Sequence, residues 1–162
     1  MIITVALVIM MCLVFVLVFL FVKTIDNRKW LTILVSLVIT PFAYFYGAYP
    51  MINIFTNYHH QKYYSAEAWK EKPNLRYELS DDMIASKRLL GSSKAEIKQQ
   101  LGPYEWLSWN NDNKAKNNNK WNYSLGIEPG AFNTQKECVE ITFENQKLIR
   151  IQAFKEDIKF DN

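Results

Sequence analysis

Residues 1–22, MIITVALVIMMCLVFVLVFLFV, carry no charged side chain. A helix apolar on every side has no polar face to turn to water, so it is either enclosed by protein or surrounded by lipid. About 20 such residues, rising 1.5 Å each, cross a hydrocarbon core of about 30 Å. A second run, WLTILVSLVITPFAYFYGAY (30–49), meets the same requirement. The short segment KTIDNRK (23–29) joins them, so the two runs read as an antiparallel transmembrane hairpin.

The first run lacks the basic n-region and the A-x-A pattern of a cleaved signal peptide, so it reads as an uncleaved anchor. Met11 before Cys12 also departs from a lipoprotein cleavage site. In the second run Trp30 marks one end and Tyr44, Tyr46 and Tyr49 the other, where interfacial rings sit. Pro41 removes one donor from that helix, and a mild kink is expected. Neither run has an ionisable residue at its centre, which argues against an ion path. Lys23, Arg28 and Lys29 crowd the connecting loop, so the positive-inside rule places 23–29 in the cytoplasm and both termini outside.

Most of the net charge of +3 comes from that loop. The rest of the chain has no concentrated basic face of the kind phosphate backbones require, which excludes a nucleic-acid partner. Cys12 and Cys138 lie in different regions and make neither a disulfide nor a metal motif. No cofactor, catalytic residue, metal site or small-molecule substrate is expected: the polar part has no G-x-S-x-G, phosphate loop or metal-ligand spacing.

Residues 50–64, PMINIFTNYHHQKYY, read as a juxtamembrane segment whose histidines His59 and His60 are solvated. A polar domain is expected over 65–162. Ser65 caps a short helix, SAEAWKEK, ended by Pro73. In NLRYELSDDMIASKRLL, Leu75, Leu79 and Met83 make one apolar helix stripe, with Ile84 alongside, and Asp81 and Asp82 fall on the solvated side. After the linker Leu89, Leu90 and Gly91, Ser93 and Glu96 form an S-x-x-E capping box. Ile97 and Leu101 face inward, Gly102 supplies a left-handed C-terminus and Pro103 stops the helix.

The period then changes to two. Strands are expected at 105–109, 121–126, 138–144 and 147–154, with loops at 110–120 and 127–137 and a tight turn at Asn145-Gln146. Asn122-Tyr123-Ser124 is a glycosylation acceptor pattern, but it falls within an expected strand. The fold class is therefore α+β: a transmembrane helical hairpin followed by two to three helices packed on a four-stranded antiparallel sheet.

"LLGSSKAEIKQQLGP", "WNYSLG" and "VEITFENQKLIRIQ" together resemble the SmpA/OmlA (BamE-type) module, whose fold is shared with beta-lactamase-inhibitor-protein repeats. The motif rests on Leu90, Gly91, Ser93, Glu96, Leu101, Gly102 and Pro103 and covers about residues 86–154. The resemblance implies a two-layer module that works by protein–protein contact, often in cell-envelope assembly, without catalysis. It adds a second reading, an immunity or inhibitor protein acting on a toxin or hydrolase. The expected partners are the membrane and another protein. Trp106, Trp109, Trp121 and Tyr123 are the candidate protein contacts, although in so small a domain large aromatics are also what fills a core. The expected location is the bacterial cytoplasmic membrane, with the C-terminal domain outside the cytoplasm.

Overall fold

The computed structural model describes residues 1–112 and 114–158. Asn113 of the expected 110–120 loop and residues 159–162 of the expected domain lie outside the described residues. The chain divides into two compact units, one built from residues 2–60 with 129–132, the other from Gln61–Glu128 with the stretch from Asn133 onward.

In the first unit, α1 (Val5–Ile25) and α2 (Lys29–Ala43) are joined only by Asp26–Arg28, and the two helices pack together. Thr4 caps α1, its side chain accepting from Leu7 N–H. The residues α2 buries are Thr32, Ser36 and Thr40, four apart on one face. Small residues at this spacing let helices approach closely. Pro41 lies within α2, and a π-helical turn, Tyr44–Ala48, follows it. The helix then continues as α3 (Tyr49–Phe55), with Pro50 in its first turn. The helix therefore runs past Tyr49, the expected end of the second apolar run, into the segment expected to be juxtamembrane. By length and composition Val5–Ile25 (21 residues) and Lys29–Phe55 (27 residues) can each cross a membrane.

The second unit is the expected α+β layout. Helices α4 (Ala66–Glu71), α5 (Tyr77–Ser86) and α6 (Lys94–Leu101) accompany a sheet of β1 (Trp106–Asn110), β2 (Ala115–Gly126), β3 (Gln135–Glu144) and β4 (Lys147–Asp157). The strands form an antiparallel meander in the order β1-β2-β3-β4. Alternation on β2 and β3 sends Trp121, Tyr123, Val139 and Ile141 into one core with Trp69, Leu79, Met83, Ile97 and Leu101. The β3–β4 turn is the expected pair Asn145-Gln146, both at positive φ (49° and 65°), as two-residue hairpins require.

The capping box is present as expected: Ser93 accepts from Glu96 N–H while Glu96 accepts from Ser93 N–H. Gly102 has φ 87°, ψ −175°, a positive φ as expected but with ψ outside the left-handed helical well. Side chains take three carbonyls at and just beyond this end of α6. Lys70 donates to Gln99 O, Trp69 Nε1 to Leu101 O and Tyr123 OH to Gly102 O. The Leu-Gly-Pro stop is thereby bolted to the core.

Several expectations need correction. The helix expected between residue 74 and the linker at Leu89 is shorter: a 3₁₀ turn (Pro73–Leu75) precedes α5, which ends at Lys87 in the left-handed region (φ 54°). Asp81 and Asp82 are not a free solvated face. Asp81 accepts from Gln61 Nε2 (2.6 Å) and Asp82 from Tyr64 N–H (2.8 Å), which ties residues 61–64 to α5. The Asn-rich stretch 110–120 is strand from Ala115, because Trp109 and Asn110 pair with Lys116 and Ala115, and Lys94 Nζ grips Asn118 O (3.0 Å). Backbone pairing overrides a composition that, taken alone, reads as loop.

Candidate functional site

The helices cover one face of the sheet. The other alternation parity builds the opposite face, because side chains along a strand point to the two faces in turn. There Trp106 lies opposite Asn122, Asn122 opposite Glu140 and Glu140 opposite Gln152, while Cys138 lies opposite Phe154. Of these, Trp106, Asn122, Glu140, Gln152 and Phe154 line a groove of about 480 Å³, open to solvent and bordered also by Ser108 and Trp109, with Cys138 buried beneath. A β-bulge between Leu107 and Trp109 shifts the register there; bulges re-aim side chains beside functional sites. Four strands about 4.8 Å apart make the groove roughly 14 Å across.

Its floor is a connected polar network. Asn122 Nδ2 donates to Ser108 Oγ (2.9 Å), Ser108 Oγ donates to Glu140 Oε2 (2.5 Å), and Lys120 Nζ pairs with Glu140 Oε1 (2.9 Å). Burial pushes the Glu140 carboxyl up, but the hydrogen bonds from Ser108 and Lys120 outweigh it and hold the group below its ordinary value. At the far side Lys136 pairs with Glu156 (3.0 Å) and lies over the Trp106 ring, 4.8 Å from its centre. Burial raises the Cys138 thiol to about 11. Among the described residues, no three His, Cys, Asp or Glu side chains gather in a group that would hold a metal.

The four aromatic contact candidates separate cleanly. Trp121 and Tyr123 are core residues, 8% and 0% exposed, and Tyr123 supports Gly102 as described. Trp106 is half-buried and Trp109 is 60% exposed, both at the groove. Of the motif residues, Ser93, Glu96, Leu101 and Gly102 build α6 and its ends, and Pro103 is exposed beyond it. Gly91 N–H bonds Leu148 O (2.8 Å) and Leu148 N–H bonds Ser92 O (2.9 Å), so the linker extends the sheet beside the start of β4. Asn122 is 1% exposed, which closes the glycosylation pattern to modification in the folded chain.

Leu90 lies at a second surface. Beyond its first residues the outer edge of β4 has no neighbouring strand among the described residues. Here Ile84, Leu90, Ile149 and Ile151 line a crevice of about 200 Å³, with Lys87 and Arg150 at its rim. Leu90 is 40% and Ile149 50% exposed. Sequence reading found Leu90 as a motif residue but not its crevice, which only the pairing of residues 91–93 with β4 assembles.

The histidines differ from expectation as well. His60 is not simply solvated: its Nε2 lies 2.9 Å from Tyr44 OH, and its ring stacks near Tyr49, with centroids 4.2 Å apart.

Set against known protein families, curated proteins and solved structures, the chain matches none.

Proposed function

We propose that this chain is a non-catalytic, membrane-anchored protein-interaction module of the bacterial cell envelope. Its two apolar helices hold it in the cytoplasmic membrane, and its α+β unit lies outside the cytoplasm. The likeness to the SmpA/OmlA module supports the binding class. The single observation that carries it is the crevice beside β4. An open strand edge offers main-chain donors and acceptors to an added strand. Next to it Leu90 and Ile149 expose apolar surface between the cations Lys87 and Arg150. An extended partner segment with an apolar side chain and flanking carboxylates fits this chemistry, and affinity from the edge is refined by the pocket.

Photo-crosslinking tests the reading. A photoreactive residue placed at Ile149 of the full chain, in its native membrane, should give one discrete adduct with a protein partner. Leu90→Asp should abolish that adduct. A clean absence of adducts would remove the reading's main support. The location is tested by Asn118→Cys in a chain carrying Cys12→Ser and Cys138→Ser. A membrane-impermeant thiol reagent should label it in intact cells; labelling only after lysis would put the unit inside.

A further inference from the structure

We propose that the groove on the uncovered sheet face is a binding site for a neutral oligosaccharide. The inference is independent of the β4 crevice and assigns a different ligand to a different surface.

The charges decide what the groove excludes. Its two carboxylates, Glu140 and Glu156, are each matched by a lysine, Lys120 and Lys136. A phosphate or sulfate ligand needs cations left free to meet it. A cationic ligand needs an unmatched carboxylate. Neither is present in the groove, so its electrostatics favour a ligand without net charge. A wholly apolar ligand is also disfavoured, because it would strip water from Glu140, Ser108 and Gln152 and return no hydrogen bonds.

What remains is a molecule with many hydroxyls and flat C–H faces. The groove supplies both halves of that recognition. Trp109, 60% exposed, presents an aromatic ring at one end, and Phe154 stands on β4 across the sheet. The negative face of an aromatic ring attracts the electropositive C–H face of a sugar. Between the rings lie an amide and a carboxylate. Glu140 keeps acceptor capacity after Ser108, Lys120 and Thr142 are bound, since a carboxylate has about four lone-pair sites. Gln152, directly opposite Glu140 and exposed, offers a donor and an acceptor.

The network beneath is fixed in advance. Asn122 is 1% exposed and orients Ser108, which in turn orients Glu140. The Oδ1 of Asn122 has no hydrogen-bond partner among the described residues, the kind of unsatisfied group that points to a use other than packing. A floor that need not reorganise on binding favours affinity for a weakly held ligand. The volume, about 480 Å³, lies within the range of small-ligand sites, roughly 300–1,000 Å³. The span of roughly 14 Å across four strands suits a short chain more than a single ring.

The test uses the full chain in phosphatidylcholine nanodiscs, which present no sugar headgroup. Titration with cellotetraose, chitotetraose and maltotetraose is followed by calorimetry up to about 5 mM, where millimolar dissociation constants are resolved. At least one of the three should bind. Trp109→Ala should weaken it at least tenfold, and Gln152→Ala by a smaller factor. Both side chains are exposed, and an unchanged circular dichroism spectrum verifies that each variant is folded. Ile149→Asp, at the β4 crevice, should leave sugar binding unchanged. No binding by any of the three sugars, or binding indifferent to Trp109→Ala, overturns the proposal. Neither outcome bears on the crosslink at Ile149.

Discussion

The two faces of one sheet make opposite uses of the same strands. On β2, Trp121 and Tyr123 enter the core while Asn122 between them reaches the groove. On β3, Val139 and Ile141 are fully buried, whereas Glu140 carries a network of Ser108, Asn122 and Lys120. The covered face gains its stability from apolar area removed from water, in proportion to that area. The open face is held by directional bonds among partly exposed groups, each of which contributes little net. Stability should therefore reside in one face and recognition in the other, and single substitutions can separate them.

The largest effect should come from Trp69→Ala. Trp69 is fully buried, stacks edge-on with Tyr123 (6.0 Å), carries Arg76 over its ring (4.7 Å) and donates to Leu101 O. Removing it leaves a cavity and an orphaned carbonyl, a loss of about 3–5 kcal/mol. A near-ultraviolet thermal melt of the full chain in nanodiscs would show this as a large drop in Tm. Gly126→Ala tests the same packing through the backbone. Gly126 has φ 98°, and a Cβ there would lie 2.1 Å from Asn74 O. The chain must shift to admit it, at a cost of at least about 2 kcal/mol.

Tyr123→Phe should cost less, about 1 kcal/mol, because only the bond to Gly102 O is lost while the ring stays in place. Burial raises the Tyr123 hydroxyl, so a phenolate signal should be missing below the pH at which the unit unfolds. If Tyr123→Phe were as damaging as Trp69→Ala, the covered face would depend on its polar bolts more than on its apolar area.

These predictions rest on parts of the molecule that differ in how far the sequence discloses them. Signals within a few residues of each other were legible: the Ser65 cap, the Ser93–Glu96 box, the turn at Asn145-Gln146, and the alternation of 121–126 and 138–144. What was missed depends on register. Arg76 joins Trp69 O on α4, Glu105 in the α6–β1 connection and Ser124 O on β2, and nothing local announces it. The groove draws its residues from all four strands, with one each from β2 and β3 and several from β1 and β4. Its signal was nonetheless in view, since Asn122, Ser124, Glu140 and Thr142 hold the parity discarded when the core was read from the other one. The four aromatics look alike in the sequence because composition alone does not say which parity an aromatic occupies.

Cys138 sharpens the comparison from the open face. It shares the parity of Glu140, yet it is fully buried and its thiol is raised by burial to about 11. Thiolate is the reactive species, so at pH 8 a maleimide should leave Cys138 unmodified in the folded chain and label it fully in denaturant. Ready labelling of the folded chain would mean that the sheet opens beneath Phe154.

The smallest expected effect belongs to Glu140→Gln. The folded carboxyl lies below its ordinary value of 4.5, so the folded state favours the charged form. Its contribution is complete above that ordinary value and is lost as pH falls through the folded value. Because the network is partly exposed and screened, the amount is a few tenths of a kcal/mol, and at most about 1. A melt at pH 7 should therefore place the variant about 1–4 °C below the unaltered chain. As the pH falls through the folded value the two curves should converge, since protonation then takes from the unaltered chain the ion pair with Lys120 that the variant already lacks. A gap that persists unchanged in acid would mean that Glu140 acts by packing, and the division of labour between the two faces would fail at its most polar residue.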